Sequence, residues 1–243
     1  MTHEVSITSD IDTLRARAEA GDAEAQHDLG GMYGDGRGVP EDDAEAVRWY
    51  RLAADQGYAN AQYSLGIMYQ TGTSVPQDYV EAVRWYRLAA DQGVAEAQNN
   101  LGVRYANGEG VPEDDAEAVR LYRLAADQGL ARAQYNLGVR YANGEGVPQD
   151  DAEAVRWYRL AADQGYADAQ YFLGFMYGTG QGVPQDYVQA HMWYNLAASR
   201  TTGETRDSAV RGRGQVARLM TPTQITEAQR LAREWDAAHP REP

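Results

Sequence analysis

The segment Arg51-Leu-Ala-Ala-Asp-Gln-Gly57 decides the fold, because this sequence motif recurs every 36 residues. They close the blocks 22–57, 58–93, 94–129 and 130–165, and a fifth block, 166–199, carries Asn-Leu-Ala-Ala at the same place. A period of this size predicts a stack of supersecondary units, each of which contacts mainly its neighbours. Such stacks usually offer an extended surface, so the repeat favours binding over catalysis.

Each block contains two amphipathic helical patterns. In the second block, Ala61, Leu65 and Tyr69 share one face of a helix, and Ala82 and Tyr86 share one face of another after a polar, Gly-rich stretch. No window shows the sustained alternation of a β-strand. The sequence therefore predicts five helix pairs and no sheet.

Cap signals bound these helices. Asp78 followed by Glu81 resembles a capping box at the start of the second helix. Gly93 stands where a left-handed C-terminal cap favours glycine. Gly66 falls in the middle of the first helix, where glycine costs about 1 kcal/mol relative to alanine. We expect close approach of the paired helix to offset that cost.

Aromatic residues recur at fixed repeat positions. Ten of the 17 tyrosines occupy two positions of the repeat, and their regularity predicts core packing rather than a role in cofactor binding. A tryptophan precedes the second-helix tyrosine in four repeats, and we expect it to pack at the interface between neighbouring repeats. These residues are Trp49, Trp85, Trp157 and Trp193.

We divide the chain as one elongated domain with capped ends. Residues 1–21 form an N-terminal segment and capping helix, 22–199 form the five repeats, and 200–243 form C-terminal capping helices and a loose tail. Every repeat needs a neighbour to bury its apolar face, which argues against two separate globular domains.

The C-terminal segment carries its own helix signals. Thr221 and Gln224 flank a proline as an N-cap and a capping-box residue would. The apolar face that follows is predicted to cover the fifth repeat. Gly212 and Gly214 predict a helix that frays, and the tail is expected to begin at His239.

Composition and charge narrow the function classes. The chain has no cysteine, hence no disulfide framework and no thiol nucleophile. Net charge is −14, and residues 1–199 carry 30 acidic residues against 14 arginines. An acidic body disfavours binding to nucleic acid. No apolar run is long enough for a transmembrane helix and no signal peptide is visible, so the compartment stays open: cytoplasmic as written, or periplasmic or secreted if a signal was removed.

These motifs resemble a known family. Two motifs carry the resemblance, Ala61-Gln-x-x-Leu65-Gly-x-x-Tyr69 and Gly108-Glu-Gly-Val-Pro112, and a third follows them, Ala-x-x-Trp-Tyr-x-x-Ala-Ala-x-Gln-Gly. They are similar to Sel-one-like repeats, which are relatives of tetratricopeptide repeats. The resemblance implies an all-α fold, a right-handed α-α superhelical solenoid. It also implies a non-catalytic scaffold or adaptor for protein complexes. Some cysteine-rich members have been labelled β-lactamase or penicillin-binding proteins, and this chain departs from them because it lacks cysteine.

In tetratricopeptide relatives the first helices line a concave groove, and we take the non-core stripe of the first helix as the candidate binding groove. Its members vary between repeats while the core positions do not. Rows of tyrosine, asparagine and aliphatic residues suit an extended peptide. The plainer interpretation is that the stripe bounds the groove and binds nothing specific. The candidate groove residues are His27, Tyr63, Ile67, Asn99, Val103, Asn107, Tyr135, Val139, Asn143, Tyr171 and Phe175.

No catalytic, cofactor or metal site is predicted. The histidines lie in distant regions without metal-ligand spacing: His3, His27, His191 and His239. The Gly-rich loops lack the lysine and the strand of a phosphate loop. A protein- or peptide-binding scaffold is therefore the leading hypothesis. The first alternative is a protein that binds carbohydrate or a cell-envelope polymer. The second is a hydrolase, although the sequence shows no set of catalytic residues that would support it.

Overall fold

The structure, a computed structural model, describes the backbone of residues 2–240 and the side chains of residues 11–240. Within residues 2–240 it contains thirteen α-helices and no strand. The prediction of an all-α fold built from helix pairs is confirmed. The chain divides between Asp114 and Asp115 into two compact units, here called unit 1 and unit 2.

Unit 1 holds a capping helix, two complete helix pairs and the first helix of the third repeat. Helices α2 and α3 pack as one pair and α4 and α5 as the next, while α1 packs on α2, α3 on α4, and α5 on α6. The helices of unit 1 are α1 (Thr2–Glu19), α2 (Ala23–Asp35), α3 (Asp43–Asp55), α4 (Ala59–Thr71), α5 (Tyr79–Asp91) and α6 (Ala95–Asn107).

Unit 2 holds the second helix of the third repeat, two complete pairs and the C-terminal cap. Its helices are α7 (Asp115–Asp127), α8 (Ala131–Asn143), α9 (Asp151–Asp163), α10 (Ala167–Thr179), α11 (Tyr187–Arg200), α12 (Gly203–Ala217) and α13 (Pro222–Ala238). The pairs are α8 with α9 and α10 with α11, and α12 and α13 both pack on α11.

The start of each second helix is capped by aspartate, although the capping box is only half made. The Asp78 carboxylate accepts hydrogen bonds from the backbone N–H groups of Val80 and Glu81, at 2.9 and 3.1 Å. The N–H of Asp78 donates to the carbonyl of Tyr69 at 2.9 Å, so it is not open to Glu81. Glu81 instead pairs with Arg84 at 3.3 Å. The aspartate cap was predicted correctly, and the reciprocal bond from glutamate was not.

The second helices of the first four repeats end in the predicted left-handed cap, because Gly57, Gly93, Gly129 and Gly165 all have a positive φ, whereas α11 is capped by Thr201 in an extended conformation. Gly93 has a φ of +91°. Its N–H donates to the carbonyl of Ala90 at 2.9 Å, and the N–H of Val94 donates to that of Ala89 at 3.2 Å. These are the two bonds of a Schellman motif. They turn the chain directly into the next repeat.

The glycine within each first helix makes room for a tyrosine ring. A Cβ atom on Gly66 would lie 2.5 Å from two ring carbons of Tyr86. Tyr86 is fully buried, and its hydroxyl donates to Gln70 Oε1 at 2.7 Å. Close approach of the paired helix therefore accounts for the glycine, as the sequence predicted.

Neighbouring repeats are joined by a tryptophan and by a ladder of glutamines. Trp85 packs against buried residues of the preceding repeat, as expected. Gln92 Nε2 donates to Gln62 Oε1 at 2.8 Å and to the carbonyl of Gly57 at 2.9 Å. Gln62 Nε2 in turn donates to the carbonyl of Ala54 at 3.2 Å. The two glutamines of the repeat motif are thus partners, a role the sequence did not suggest.

The C-terminal cap makes contacts that the sequence did not predict. Thr221 and Gln224 form the predicted capping box. Gly212 of α12 is buried against the ring of Tyr194, where a Cβ would lie 2.6 Å from Cζ. The ring of His239, expected in a loose tail, stacks on Trp235 with centroids 4.1 Å apart. Residues 241–243 and the side chain of His3 lie outside what the structure describes.

We expect the protein to unfold between about pH 10 and pH 12. Burial raises the pKa of Tyr86, Tyr135 and Tyr194 to about 12, from an ordinary value of about 10. Because the folded-state pKa is raised, the stability gained by burying these neutral phenols is complete below pH 10. It is lost as pH rises through 12, since the unfolded chain ionises first. Far-UV circular dichroism and tyrosinate absorbance, followed together during alkaline titration, measure this. Full tyrosine ionisation near pH 10 with helicity retained would contradict it.

Candidate functional site

The predicted groove residues of unit 1 differ in how exposed they are. His27, Tyr63, Ile67 and Val103 are half-buried, and Asn107 is exposed. Asn99 departs from the prediction, because it is only 1% exposed and its side chain cannot reach a ligand. The rings of His27 and Tyr63 contact core tyrosines: His27 lies 5.4 Å from Tyr50, and Tyr63 lies 6.0 Å from Tyr86.

Unit 2 brings four predicted groove residues together in one cleft between α8 and α10. This α8–α10 cleft has a cavity volume of about 310 Å³. The predicted residues that line it are Tyr135, Val139, Asn143 and Phe175, and the other lining residues are Ala142, Gln149, Asp151, Tyr158, Phe172, Met176 and Gln181. Tyr171, the remaining prediction in unit 2, is not among them. It packs into the cluster of Ala190 and Tyr194, and its ring lies 5.7 Å from that of Tyr194.

Aromatic rings form the floor of the α8–α10 cleft. Tyr158 and Phe172 stack with centroids 5.3 Å apart and an interplanar angle of 17°. Tyr135 lies 5.9 Å from each of those two rings. Phe175 is 39% exposed, which is unusual for phenylalanine, and stands at the edge of the cleft. The floor is therefore a rigid aromatic surface, part of which already faces solvent.

The polar groups of the cleft divide into a neutral rim and one charge. Asn143, Gln149 and Gln181 are exposed amides that can donate and accept hydrogen bonds. Asp151 is the one charged residue among those that line the cleft. Burial, the Tyr135 ring and the Asp151 carboxylate raise the pKa of Tyr158, so its hydroxyl keeps its proton at neutral pH. The cleft can thus bind apolar surface, hydrogen-bond an amide and attract one positive charge.

A glycine in the loop after α10 fixes the position of the rim of the α8–α10 cleft. Gly182 has a φ of +66°, and a Cβ on it would lie 2.2 Å from the carbonyl oxygen of Asp151. This close approach of two backbones sets the loop that carries Gln181 beside the start of α9. The side of the cleft is therefore fixed by backbone contact rather than by flexible side chains.

Sequence reasoning missed the cleft residues that leave the repeat pattern. Position 172 is aromatic where the preceding repeats have Ser64, Asn100 and Asn136, and position 176 is methionine where the two preceding repeats have arginine. Asp151 and Tyr158 belong to the second helix, outside the first-helix stripe that was taken as the candidate groove. The available signal was the aromatic residue at position 172, together with the return at position 176 to the methionine of the first two repeats, Met32 and Met68.

Other kinds of site are not seen in the described part of the chain. Across those residues, no group of three or more His, Asp or Glu side chains is placed to hold a metal ion. None of the helices described is both long and apolar enough to span a bilayer.

Comparison with known proteins identifies the repeat. The family model described as "Sel1 repeat" matches residues 23–58, 59–94, 95–130, 131–166 and 167–201. No curated protein matches the chain.

Solved structures give the same relationship. A Sel1 repeat protein from Oxalobacter formigenes is 30% identical, with 96% of this chain and 98% of that one covered and a TM-score of 0.78. A protective antigen of uropathogenic Escherichia coli with an SLR fold is 33% identical over 94% of this chain, with a TM-score of 0.76, and this chain spans only 56% of its length. A putative Sel1 repeat protein from Klebsiella pneumoniae subsp. pneumoniae shares the fold at 24% identity, with 85% of this chain and 99% of that one covered and a TM-score of 0.53.

Proposed function

Because this chain belongs to the Sel1 repeat family, we propose that it is a non-catalytic scaffold that binds a protein partner through the first helices of its repeats. Repeats of this family and of its tetratricopeptide relatives typically mediate protein interactions. Repeat stacks offer long surfaces on which a partner can lie extended. The binding surface we propose in unit 2 is the α8–α10 cleft.

The exposed aromatic surface of the α8–α10 cleft is the observation that carries this proposal. Phe175 presents a large apolar ring to solvent beside the half-buried Tyr135 and Val139. Exposed aromatic residues in a concave setting are the usual anchors of protein interfaces. The rim amides of Asn143 and Gln181 can pair with the backbone of an extended peptide. An extended segment with one buried side chain fits both features.

A double variant of the cleft tests the proposed function. Val139→Ala with Phe175→Ala removes apolar surface from the cleft and leaves the packed Tyr171 in place. Loss of an interface anchor costs about 2 kcal/mol or more in binding. We therefore expect a partner identified by affinity capture and mass spectrometry to bind the variant about 30-fold more weakly, with unchanged helicity.

The matched control for this experiment is Leu160→Ala. Leu160 lies on the second helix of the same unit and is 41% exposed, close to the 39% of Phe175. We expect it to retain the partner. Loss of binding in Leu160→Ala with retention in the double variant would assign the interface to the second helices. Capture of an envelope polysaccharide in place of a protein would favour the polymer-binding alternative.

A further inference from the structure

One position of the repeat holds an ion-paired arginine in unit 2 and, one repeat later, a methionine. Arg140 Nη1 lies 2.9 Å from Asp115 Oδ1 and 2.6 Å from Glu145 Oε2. Its side chain is only 16% exposed. In the next repeat, 36 residues later, Arg140 is replaced by Met176 and Glu145 by Gln181, whereas Asp115 has the equivalent residue Asp151. Met176, Gln181 and Asp151 all line the α8–α10 cleft.

This replacement leaves a carboxylate without its cation. Among the side chains that the structure describes, Asp151 has no ion-pair partner, whereas Asp115 has Arg140. Gln181 replaces the second carboxylate, so the site keeps one negative charge and a neutral amide. A half-buried carboxylate beside an aromatic floor attracts a cation more strongly than one in open water does.

The hydroxyl of Tyr158 also lies without a hydrogen-bond partner among residues 11–240, and Tyr158 lines the cleft. The equivalent hydroxyl of Tyr86 donates to Gln70 Oε1 at 2.7 Å. Two repeats after Gln70 the equivalent residue is Ala142, which offers no acceptor. The Tyr158 hydroxyl is therefore available to hydrogen-bond a ligand in the cleft.

We infer that the α8–α10 cleft receives an arginine side chain of the partner protein, with the guanidinium beside Asp151 as Arg140 lies beside Asp115. The inference rests on the proposed scaffold function and specifies the partner's chemistry. A planar guanidinium can pair with a carboxylate, stack on aromatic faces and donate to a phenol oxygen at once. Lysine offers a point charge without the flat surface that stacking requires.

The size, walls and charge of the cleft fit this occupant. A volume of about 310 Å³ corresponds to about ten waters of bulk liquid, which leaves room for an arginine side chain. The half-buried rings of Tyr135 and Phe172 line the cleft and can contact a cation. The chain uses this contact elsewhere, as Arg104 lies 5.2 Å from the ring centre of Tyr79. The acidic body of residues 1–199 steers basic segments toward it.

Titration with a small probe tests the inference on the full chain. The probe is Nα-acetyl-arginine N-methylamide, and the neutral comparison is the citrulline analogue, which has nearly the same shape. We expect the arginine probe to shift the backbone amide signals of Asp151 and Gly182 in ¹H–¹⁵N NMR spectra, with saturation. The citrulline analogue should cause no saturable shift. Equal binding of the two probes would overturn the inference.

Two variants and a control make the test specific. Asp151→Asn should weaken probe binding by about tenfold or more, because it removes the charge pair. Asp163→Asn, which removes the same charge from the far end of α9, should leave binding unchanged. Met176→Arg with Gln181→Glu restores the three residues found at 115, 140 and 145, and should abolish binding by filling the cleft from within. An Asp151→Asn protein that binds the arginine probe as the unmodified chain does would overturn the inference.

Failure of this inference is distinguishable from failure of the proposed function. A partner captured in a Phe175-dependent way, together with no binding of the arginine probe, refutes the arginine site and leaves the scaffold function standing. Saturable, Asp151-dependent binding of the probe supports the arginine site even if affinity capture yields no protein partner, a result that would count against the scaffold function alone.

Discussion

Gly110→Ala should destabilise unit 1 by about 3 kcal/mol or more. Gly110 has a φ of +76°, and a Cβ on it would lie 2.2 Å from the carbonyl oxygen of Tyr79 and 2.8 Å from the backbone nitrogen of Val80. The left-handed backbone alone costs an L-residue about 1–2 kcal/mol. The clash adds to that cost because neither backbone can turn away as a side chain can. Chemical denaturation followed by circular dichroism measures the loss.

Gly93→Ala is the matched control for this prediction. Gly93 has a φ of +91°, yet a Cβ on it would meet nothing within 4 Å. Its substitution should therefore cost only the free energy of placing an L-residue in the left-handed backbone conformation, about 1–2 kcal/mol. If the two variants lost equal stability, the contact between the loop and the start of α5 would not matter. Gly110 would then serve only its own turn.

The difference between these glycines shows what the sequence could and could not predict about the fold. Both have a positive φ, and the sequence predicted the left-handed cap at Gly93. The helix pairs, the aspartate caps and the glycine caps all follow from interactions between residues close in sequence. They therefore recur wherever the 36-residue sequence motif recurs. Contacts between repeats, such as the glutamine ladder from Gln92 to Gln62, depend on how one repeat sits on the next.

The candidate site was only partly predictable for a related reason. The stripe on the first helix includes Tyr135, Val139, Asn143 and Phe175, which line the cleft together, because helical periodicity fixes which residues share a face. It also included Tyr171, which packs against core residues of unit 2. Periodicity assigns a face to each residue without showing how much of that face a neighbouring helix covers.

The residues that give the cleft its charge and hydroxyl came from the second helix. Tyr158 was predicted to pack in the core, which it does, and Asp151 was given no role. What changes their chemistry is the loss of partners supplied by other positions, at Met176 and Ala142. A repeat protein can therefore form a specific site where a contact present in the neighbouring repeat is missing.

Gly66→Ala should lose about 2 kcal/mol of stability in unit 1, although alanine is the better helix former. Within a helix the substitution gains about 1 kcal/mol from propensity, so an open site should become more stable. Gly214, in the last turn of α12 with nothing within 4 Å of a Cβ, is that open site, and Gly214→Ala should gain up to about 1 kcal/mol. At Gly66 the new methyl group would lie 2.5 Å from the buried ring of Tyr86, and the ring has no room to retreat.

Gly30 supplies the intermediate case, since a Cβ there would lie 3.0 Å from the nearest carbons of Tyr50. Tyr50 is only half-buried, so its ring can yield by a few tenths of an ångström. Gly30→Ala should therefore be nearly neutral, as the gain in propensity and the contact cost offset each other. The order of stability changes should follow the Cβ distances: a gain at Gly214, little change at Gly30, and a loss at Gly66. Equal gains at all three would mean that the paired helices do not pack as closely as the glycines imply, and that backbone propensity alone governs these positions.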